Sequence, residues 1–158
     1  MKKLLVAVLL MFASAAWADN LKDGYAAITT KNYPVALSKF RLAAAQGNAG
    51  AQVMLGAMFN EGLGVAQDYV EAVRWYRLAA AQGYARAQFN LGVSFSMGQG
   101  VIQDYTRAHM WFNLAAVKGD KDAVKNRDLA ATLMTPQQIA QAQQLARECT
   151  ARNFKKCD

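Results

Sequence analysis

Few residues in this chain have the types and spacing that catalysis requires. The 158 residues include a single histidine, His109. A serine nucleophile needs a neighbouring base, and a metal site usually needs three or four ligands. His109 has no such companions at a recognisable spacing, and it occupies a position that holds Leu37 and Val73 elsewhere in a repeated pattern. The sequence therefore predicts a half-buried core histidine, with no catalytic residues, no metal site and no cofactor.

Two glycine-rich segments, Gly62-Leu63-Gly64 and Gly98-Gln99-Gly100, have the composition of a phosphate-binding loop. A phosphate loop of this kind follows a β-strand, whereas helical patterns lie on both sides of these segments. We interpret the glycines as turn residues with backbone angles that other residues avoid. Aromatic residues recur at the same period and are interpreted as core: Tyr69, Trp75, Tyr76, Tyr105, Trp111 and Phe112.

The only cysteines, Cys149 and Cys157, lie eight positions apart near the C-terminus. In an oxidising compartment we expect them to form a disulfide, with free thiols or an intermolecular bridge as alternatives. So small a loop would stabilise the tail by about 2–3 kcal/mol in the chain-entropy account.

The first eighteen residues are typical of a secretory signal peptide. Lys2 and Lys3 precede the apolar run Leu4–Ala15, and Ala16-Trp17-Ala18 forms a small-x-small cleavage site. The run is shorter than the roughly 20 residues of a membrane span, and an uncleaved anchor is the alternative. We expect cleavage after Ala18 and a periplasmic or secreted domain at 19–158.

The charge of this domain argues against nucleic acid as a partner. Without Lys2 and Lys3 the chain has 16 basic and 11 acidic residues, a net charge of +5. The basic residues are dispersed rather than gathered in a block, and export itself argues against nucleic acid. We also expect no stable membrane insertion after signal cleavage. Contact with an anionic envelope polymer is an alternative, through Arg147, Arg152, Lys155 and Lys156.

One 36-residue unit is written twice, as Ala51–Arg86 and Ala87–Asp122, and the copies agree at 17 of 36 positions. Self-similarity at such a period indicates a solenoid of stacked units. Each unit reads as two helices, and related but irregular units precede and follow the pair. The expected units are about 21–50, 51–86, 87–122 and 123–150, followed by a tail at 150–158.

The expected helix ends carry recognisable signals. Asn32, Asp68 and Asp104 are predicted N-caps of the second helices, and Glu71 suggests a capping box with Asp68. Thr135 and Gln138 predict a capping box before the last helix. Two glycines inside the first helices indicate a close approach by a neighbouring helix, and three more are expected C-terminal caps: Gly56 and Gly92, then Gly47, Gly83 and Gly119.

The motif Leu55-Gly56, Phe59, Gly62-x-Gly64-Val65, Asp68-Tyr69, Ala72, Trp75-Tyr76, Ala79-Ala80, Gly83 resembles the Sel1-like repeat, a relative of the tetratricopeptide repeat. The second copy, from Leu91 to Gly119, resembles it equally. The resemblance implies an all-α right-handed solenoid of about four helix-turn-helix units, two well formed and two irregular. It also implies an adaptor or scaffold protein that holds other proteins, with no shared catalytic residues.

In the related tetratricopeptide fold the first helices line a concave groove. The resemblance therefore suggests a peptide or a partner helix bound on mostly apolar side chains that avoid the stacking stripe. For the two largest, Phe89 and Met97, burial of the adjacent loop or helix is an equal alternative. The expected groove residues are Tyr25, Val53, Ala57, Asn60, Glu61, Arg86, Phe89, Val93, Ser96 and Met97.

We therefore expect an exported protein-interaction adaptor that is not an enzyme. A cysteine-rich secreted branch of the same family is associated with β-lactam binding and hydrolysis, which gives a second hypothesis of cell-wall-related activity. That branch has a cysteine pair in each repeat, whereas residues 51–122 contain none.

Overall fold

The computed structural model describes residues 19–157, so the predicted signal peptide lies outside the described residues. The described chain consists of helices joined by short connections, which confirms the all-α helical solenoid. The helices are α1 (residues 19–29), α2 (Tyr33–Ala45), α3 (Ala49–Glu61), α4 (Tyr69–Ala80), α5 (Ala85–Met97), α6 (Tyr105–Val117), α7 (Lys121–Ala131) and α8 (Pro136–Ala151).

The helices pack in chain order as adjacent pairs. Within the two regular units α3 packs on α4 and α5 packs on α6. Each second helix also packs on the first helix of the following unit, which joins α2 to α3, α4 to α5 and α6 to α7. The last helix departs from this order because α8 makes its principal contact with α6. The helices α3 and α5 begin two residues before the expected unit boundaries.

The predicted N-caps are confirmed. The Asp68 carboxylate accepts from the backbone N–H of Val70 at 2.9 Å and of Glu71 at 3.0 Å, and Asp104 accepts from Arg107 at 3.0 Å. Asn32 caps α2 in the same way. These side chains satisfy backbone donors that the first turn of a helix leaves unpaired. The capping box of Thr135 and Gln138 is present with both of its hydrogen bonds.

The capping box predicted for Asp68 and Glu71 is wrong. The Glu71 carboxylate instead accepts two hydrogen bonds from the Arg74 guanidinium, at 3.0 and 2.9 Å. The Asp68 N–H donates to the Phe59 carbonyl at 2.9 Å, so the loop back to α3 uses the donor that the box would need. A two-pronged ion pair one turn along the helix therefore replaces the box.

Glycines inside the first helices allow an aromatic ring of the second helix to lie against the backbone. A Cβ built on Gly92 would lie 2.5 Å from two carbons of the Phe112 ring. Gly56 faces Tyr76 in the same manner, and Gly24 faces Phe40. The predicted close approach is thus confirmed, and the approaching group is a ring.

The two Gly-x-Gly loops have a structural role at both glycines. Gly62 and Gly98 take the left-handed conformation and end α3 and α5. A Cβ on Gly64 would meet the Cβ of Tyr33 at 2.8 Å, so this loop packs on the start of the preceding second helix. Side chains reinforce both loops, since Gln67 donates to the Asn60 carbonyl and Gln103 to the Ser96 carbonyl.

The C-terminal tail is tied to the body of the solenoid. Cys149 and Cys157 form the expected disulfide, with Cα atoms 5.0 Å apart. The disulfide closes a turn that places the Phe154 ring 4.5 Å from the Lys118 ammonium. Lys118 also donates a hydrogen bond to the Gly83 carbonyl. The tail therefore covers the ends of α4 and α6.

The contact between Gly92 and Phe112 predicts a specific cost for a single methyl group. The substitution Gly92→Ala should lower the free energy of unfolding by up to about 2 kcal/mol, since overpacking costs about 1–3 kcal/mol and the gain in helix propensity offsets about 1 kcal/mol of it. Urea unfolding followed by circular dichroism measures this change.

A matched control is Gly50→Ala in α3, where the new Cβ would be 3.3 Å from the flexible Asn48 side chain. It should leave the free energy of unfolding unchanged or raise it by up to about 1 kcal/mol, because no ring opposes the gain in helix propensity. The Phe112→Leu background should also reduce the cost of Gly92→Ala, because the flat ring is gone. An equal cost with and without the ring would show that the ring does not set the helix spacing.

Candidate functional site

Two hollows lie side by side across α5. The N-terminal hollow has a volume of about 290 Å³ and lies between α3 and α5, with Tyr25 of α1 and Tyr76 of α4 in its lining. The C-terminal hollow has a volume of about 230 Å³ and lies between α5 and α7, with Tyr105 and Phe112 of α6 in its lining. The first helices of the units thus provide most of both surfaces.

The structure distributes the predicted groove residues between these hollows. Phe89 and Val93 lie between them, half-buried and packed against the core. The C-terminal hollow contains two of the predicted residues, Ser96 and Met97. The N-terminal hollow contains six of them: Tyr25, Val53, Ala57, Asn60, Glu61 and Arg86.

The large apolar residues of the prediction differ in exposure. The Phe89 ring lies 5.7 Å from that of Phe112, so it contributes to packing between α5 and α6. Val53 is only 7% exposed and belongs to the same core cluster. Met97 by contrast is 63% exposed. Of these three side chains, Met97 is therefore the one with most surface left for a partner.

The N-terminal hollow contains polar groups without partners. Within residues 19–157 the side chains of Asn60, Asn90 and Glu61 make no hydrogen bond or ion pair. The Arg86 guanidinium lies over the Phe89 ring, 5.3 Å from its centre, and has no acidic partner in that part of the chain. A cation held over an aromatic face keeps its N–H donors available.

Two tyrosines of the N-terminal hollow, Tyr25 and Tyr76, have a raised pKa. Burial raises the pKa of Tyr76 well above its usual range, the Glu61 charge raises it further, and the Arg86 charge opposes this. Burial also raises the pKa of Tyr25, with a smaller contribution from Tyr84. The Tyr25 ring is fixed edge-on against Phe40, with ring centres 5.4 Å apart. Neutral phenol groups can donate or accept hydrogen bonds.

Several lining residues were missed by the sequence analysis. Tyr84 and Asn90 belong to the N-terminal hollow, and Leu129 and Leu133 to the C-terminal hollow. The 36-residue period would have found the leucines, since they are the equivalents of Val93 and Met97. That signal was hidden because Arg127 and Asp128 replace the Leu-Gly pair in α7.

His109 lies in the core, as predicted, but it is buried rather than half-buried, with 4% of its surface exposed. Burial lowers the pKa of its imidazole, Arg127 lowers it further, and Asp128 acts in the opposite direction. Its Nδ1 has no hydrogen-bond partner in the described part of the chain. The neutral imidazole is therefore a packing group in α6.

The basic residues near the C-terminus are spread over different surfaces. Arg147 lines a mostly apolar hollow of about 300 Å³ beside Phe154, and Lys156 lines one of about 390 Å³ beside Arg107. Arg152 pairs with Glu148 at 3.6 Å. Along residues 19–157 no cluster of three or more acidic, histidine or cysteine side chains is arranged to hold a metal ion. No helix in that range is long and apolar enough to cross a membrane.

Stacked helix pairs joined by these glycine loops define a helical-repeat solenoid. The model of the Sel1 repeat family matches residues 49–84 and 85–120. Residues 49–120 therefore contain two Sel1 repeats, as the sequence motif predicted. The matched repeats begin where α3 and α5 begin, two residues before the expected unit boundaries.

Two solved structures are similar over much of this chain. One is c5321, a protective antigen of uropathogenic Escherichia coli strains with an SLR fold, at a TM-score of 0.83 and 30% identity over 89% of this chain. The other is a Sel1 repeat protein from Oxalobacter formigenes, at a TM-score of 0.63 and 35% identity over 66% of this chain. The chain spans 31% and 43% of these proteins respectively. No curated protein matches it.

The buried imidazole makes stability dependent on pH. The pKa of His109 is lower in the folded state than in the unfolded chain, so the unfolded state binds more protons below about pH 6.5. The free energy of unfolding should include the full contribution of neutral His109 above that pH. It should fall as the pH decreases through the folded-state pKa. As His109 is the only histidine, urea unfolding between pH 7.5 and 5 isolates this effect.

The control is His109→Leu, which restores the residue found at the equivalent position 37. This variant should lose the stability change between pH 7.5 and 5. If wild type and His109→Leu had parallel pH profiles, the buried imidazole would not be the source of the change.

Proposed function

We propose that this protein is an exported adaptor that binds a segment of another protein along the two hollows, without catalysing a reaction. The observation that carries the proposal is the pairing of unpartnered polar side chains in one hollow with exposed large apolar side chains in the next. Unpaired donors beside exposed apolar surface are typical of a recognition surface.

The family supports this class of function. Sel1-repeat folds generally mediate protein–protein interaction, and families of this fold are typically non-catalytic scaffolds. The two similar structures extend well beyond the length of this chain, so their own activities are not transferred to it. The proposal therefore depends on the surface of this chain and on the repeat class.

Export is supported by two separate features. Residues 1–18 have the order of basic, apolar and small residues that signal peptidases recognise. The disulfide of Cys149 and Cys157 is typical of proteins outside the reducing cytoplasm. We infer cleavage after Ala18 and a periplasmic or secreted location for the mature protein.

Expression in a Gram-negative host tests the export proposal. Protein from the periplasmic fraction should begin at Asp19 and, after denaturation, should resist alkylation by a maleimide-polyethylene glycol reagent. A version lacking residues 2–18 should stay in the cytoplasm and react at both cysteines. Full-length protein that retained its first eighteen residues, or that reacted at two thiols, would contradict the proposal.

Photo-crosslinking in intact cells tests the groove. A photoreactive amino acid at Asn90 or Leu129 should yield a discrete crosslinked partner, since both positions line the hollows. The matched control is Val70 at the start of α4, which is 67% exposed and lies outside both hollows. The same partner captured with equal yield from Val70 would show that the hollows are not the binding surface.

A further inference from the structure

The two hollows differ in chemistry, and the difference identifies the kind of segment that fits them. The N-terminal hollow includes the charged residues Arg86 and Glu61 and the amides of Asn60 and Asn90. The residues that line the C-terminal hollow have no charge, and they include Met97, Leu129 and Leu133. A single partner segment that crosses α5 must therefore match a polar site first and an apolar site second.

The apolar character increases along the solenoid at equivalent positions. One position is Ala57, Val93 and Leu129 in successive units, and another is Glu61, Met97 and Leu133. Met97, Leu129 and Leu133 are 63%, 61% and 60% exposed. Hydration of three large apolar side chains around one hollow is unfavourable in free energy. Contact with a partner's apolar side chain would displace that water and would therefore be favourable.

Arg86 provides the charge complementarity at the other end. It is eleven residues before Met97 on α5, which is three helical turns, so both side chains lie on one face about 16 Å apart. Its guanidinium is supported by the Phe89 ring and has no acidic partner in residues 19–157. A planar guanidinium with free N–H groups is suited to binding a carboxylate.

The unpaired amides favour an extended segment over a helix. Asn60 and Asn90 each have an amide that can donate and accept hydrogen bonds. A helix satisfies its own backbone groups, whereas an extended chain presents free N–H and C=O groups along its length. An extended chain rises by about 3.3 Å per residue, so the 16 Å between the two ends correspond to about five residues.

We propose that the occupant of the two hollows is an extended peptide segment of a partner protein, with an Asp or Glu at Arg86 and a large apolar residue, about five positions away, in the C-terminal hollow. This inference depends on the proposed function and specifies its partner.

Selection from a random twelve-residue peptide library displayed on phage tests the inference with the purified mature protein. Enriched sequences should contain an Asp or Glu separated by four to six positions from Leu, Ile, Met or Phe. A synthetic peptide from the selection should bind Arg86→Gln about tenfold more weakly, as expected for a lost hydrogen bond to a charged group. Leu129→Ser with Leu133→Ser should weaken binding by a similar factor.

The charge reversal Arg86→Glu provides a readout that a merely structural role would not change. Selection on this variant should enrich Lys or Arg in place of the acidic residue, with the same spacing to the apolar residue. The control variants are Arg147→Gln and Val70→Ser, which change an exposed cation and an exposed apolar residue outside the hollows. Both should leave the affinity of the peptide unchanged.

The outcomes separate this inference from the proposed function. Enriched peptides that bind through the hollows but lack the acidic and apolar pair would overturn the inference and leave the adaptor function standing. Peptides whose affinity is equal in the wild type, Arg86→Gln and the double serine variant would also overturn it. No enriched peptide, together with no crosslink from Asn90 or Leu129, would overturn both.

Discussion

The spacing of the helices depends on one repeated contact, an aromatic ring of the second helix against a glycine of the first. The pairs are Gly24 with Phe40, Gly56 with Tyr76 and Gly92 with Phe112. Without a Cβ the first helix allows the ring to approach its backbone closely, and dense packing leaves no room for an added methyl group.

The same contact explains where the regular solenoid ends. At the equivalent positions of the last unit the chain has Asp128 and Glu148 in place of the glycine and the ring. Two carboxylates cannot replace an apolar ring contact, and α8 packs mainly on α6. Leu129 in α7 and Leu133 just after it, the equivalents of Val93 and Met97, are exposed beside Met97 at this end of the solenoid.

The frame of this fold follows from sequence because almost every identity between the copies has a local physical reason. An aspartate at an N-cap and a glycine at a left-handed turn act within a few residues of their own position. The capping box predicted for Glu71 was wrong because its carboxylate can accept from either of two nearby donors. The sequence pattern does not show that it accepts from Arg74 rather than from the Asp68 N–H. The sequence also did not show that Met97 is exposed whereas Val53 is buried, because the exposure of each side chain depends on how far the neighbouring unit extends.

The tail shows how a change between copies alters packing without altering the frame. Gln52 donates to the Ala44 carbonyl and accepts from Gln82. Its equivalent Gln88 is fully buried, and both atoms of its amide are unpaired in the described chain. The equivalent of Gln82 is Lys118, whose ammonium binds the Gly83 carbonyl and the Phe154 ring instead.

The disulfide-bonded tail thus contacts Lys118, whose equivalent Gln82 pairs with the amide of Gln52 in the preceding unit. The tail also covers the ends of α4 and α6. In the hollows the same rule holds, since the residues identical between the copies maintain the stacking and those that differ determine the chemistry of the surface. Because the frame is repeated and the lining is not, a binding preference can evolve one residue at a time. The exposed position that holds Glu61 in one unit holds Met97 in the next, and this difference leaves the contact between glycine and ring intact.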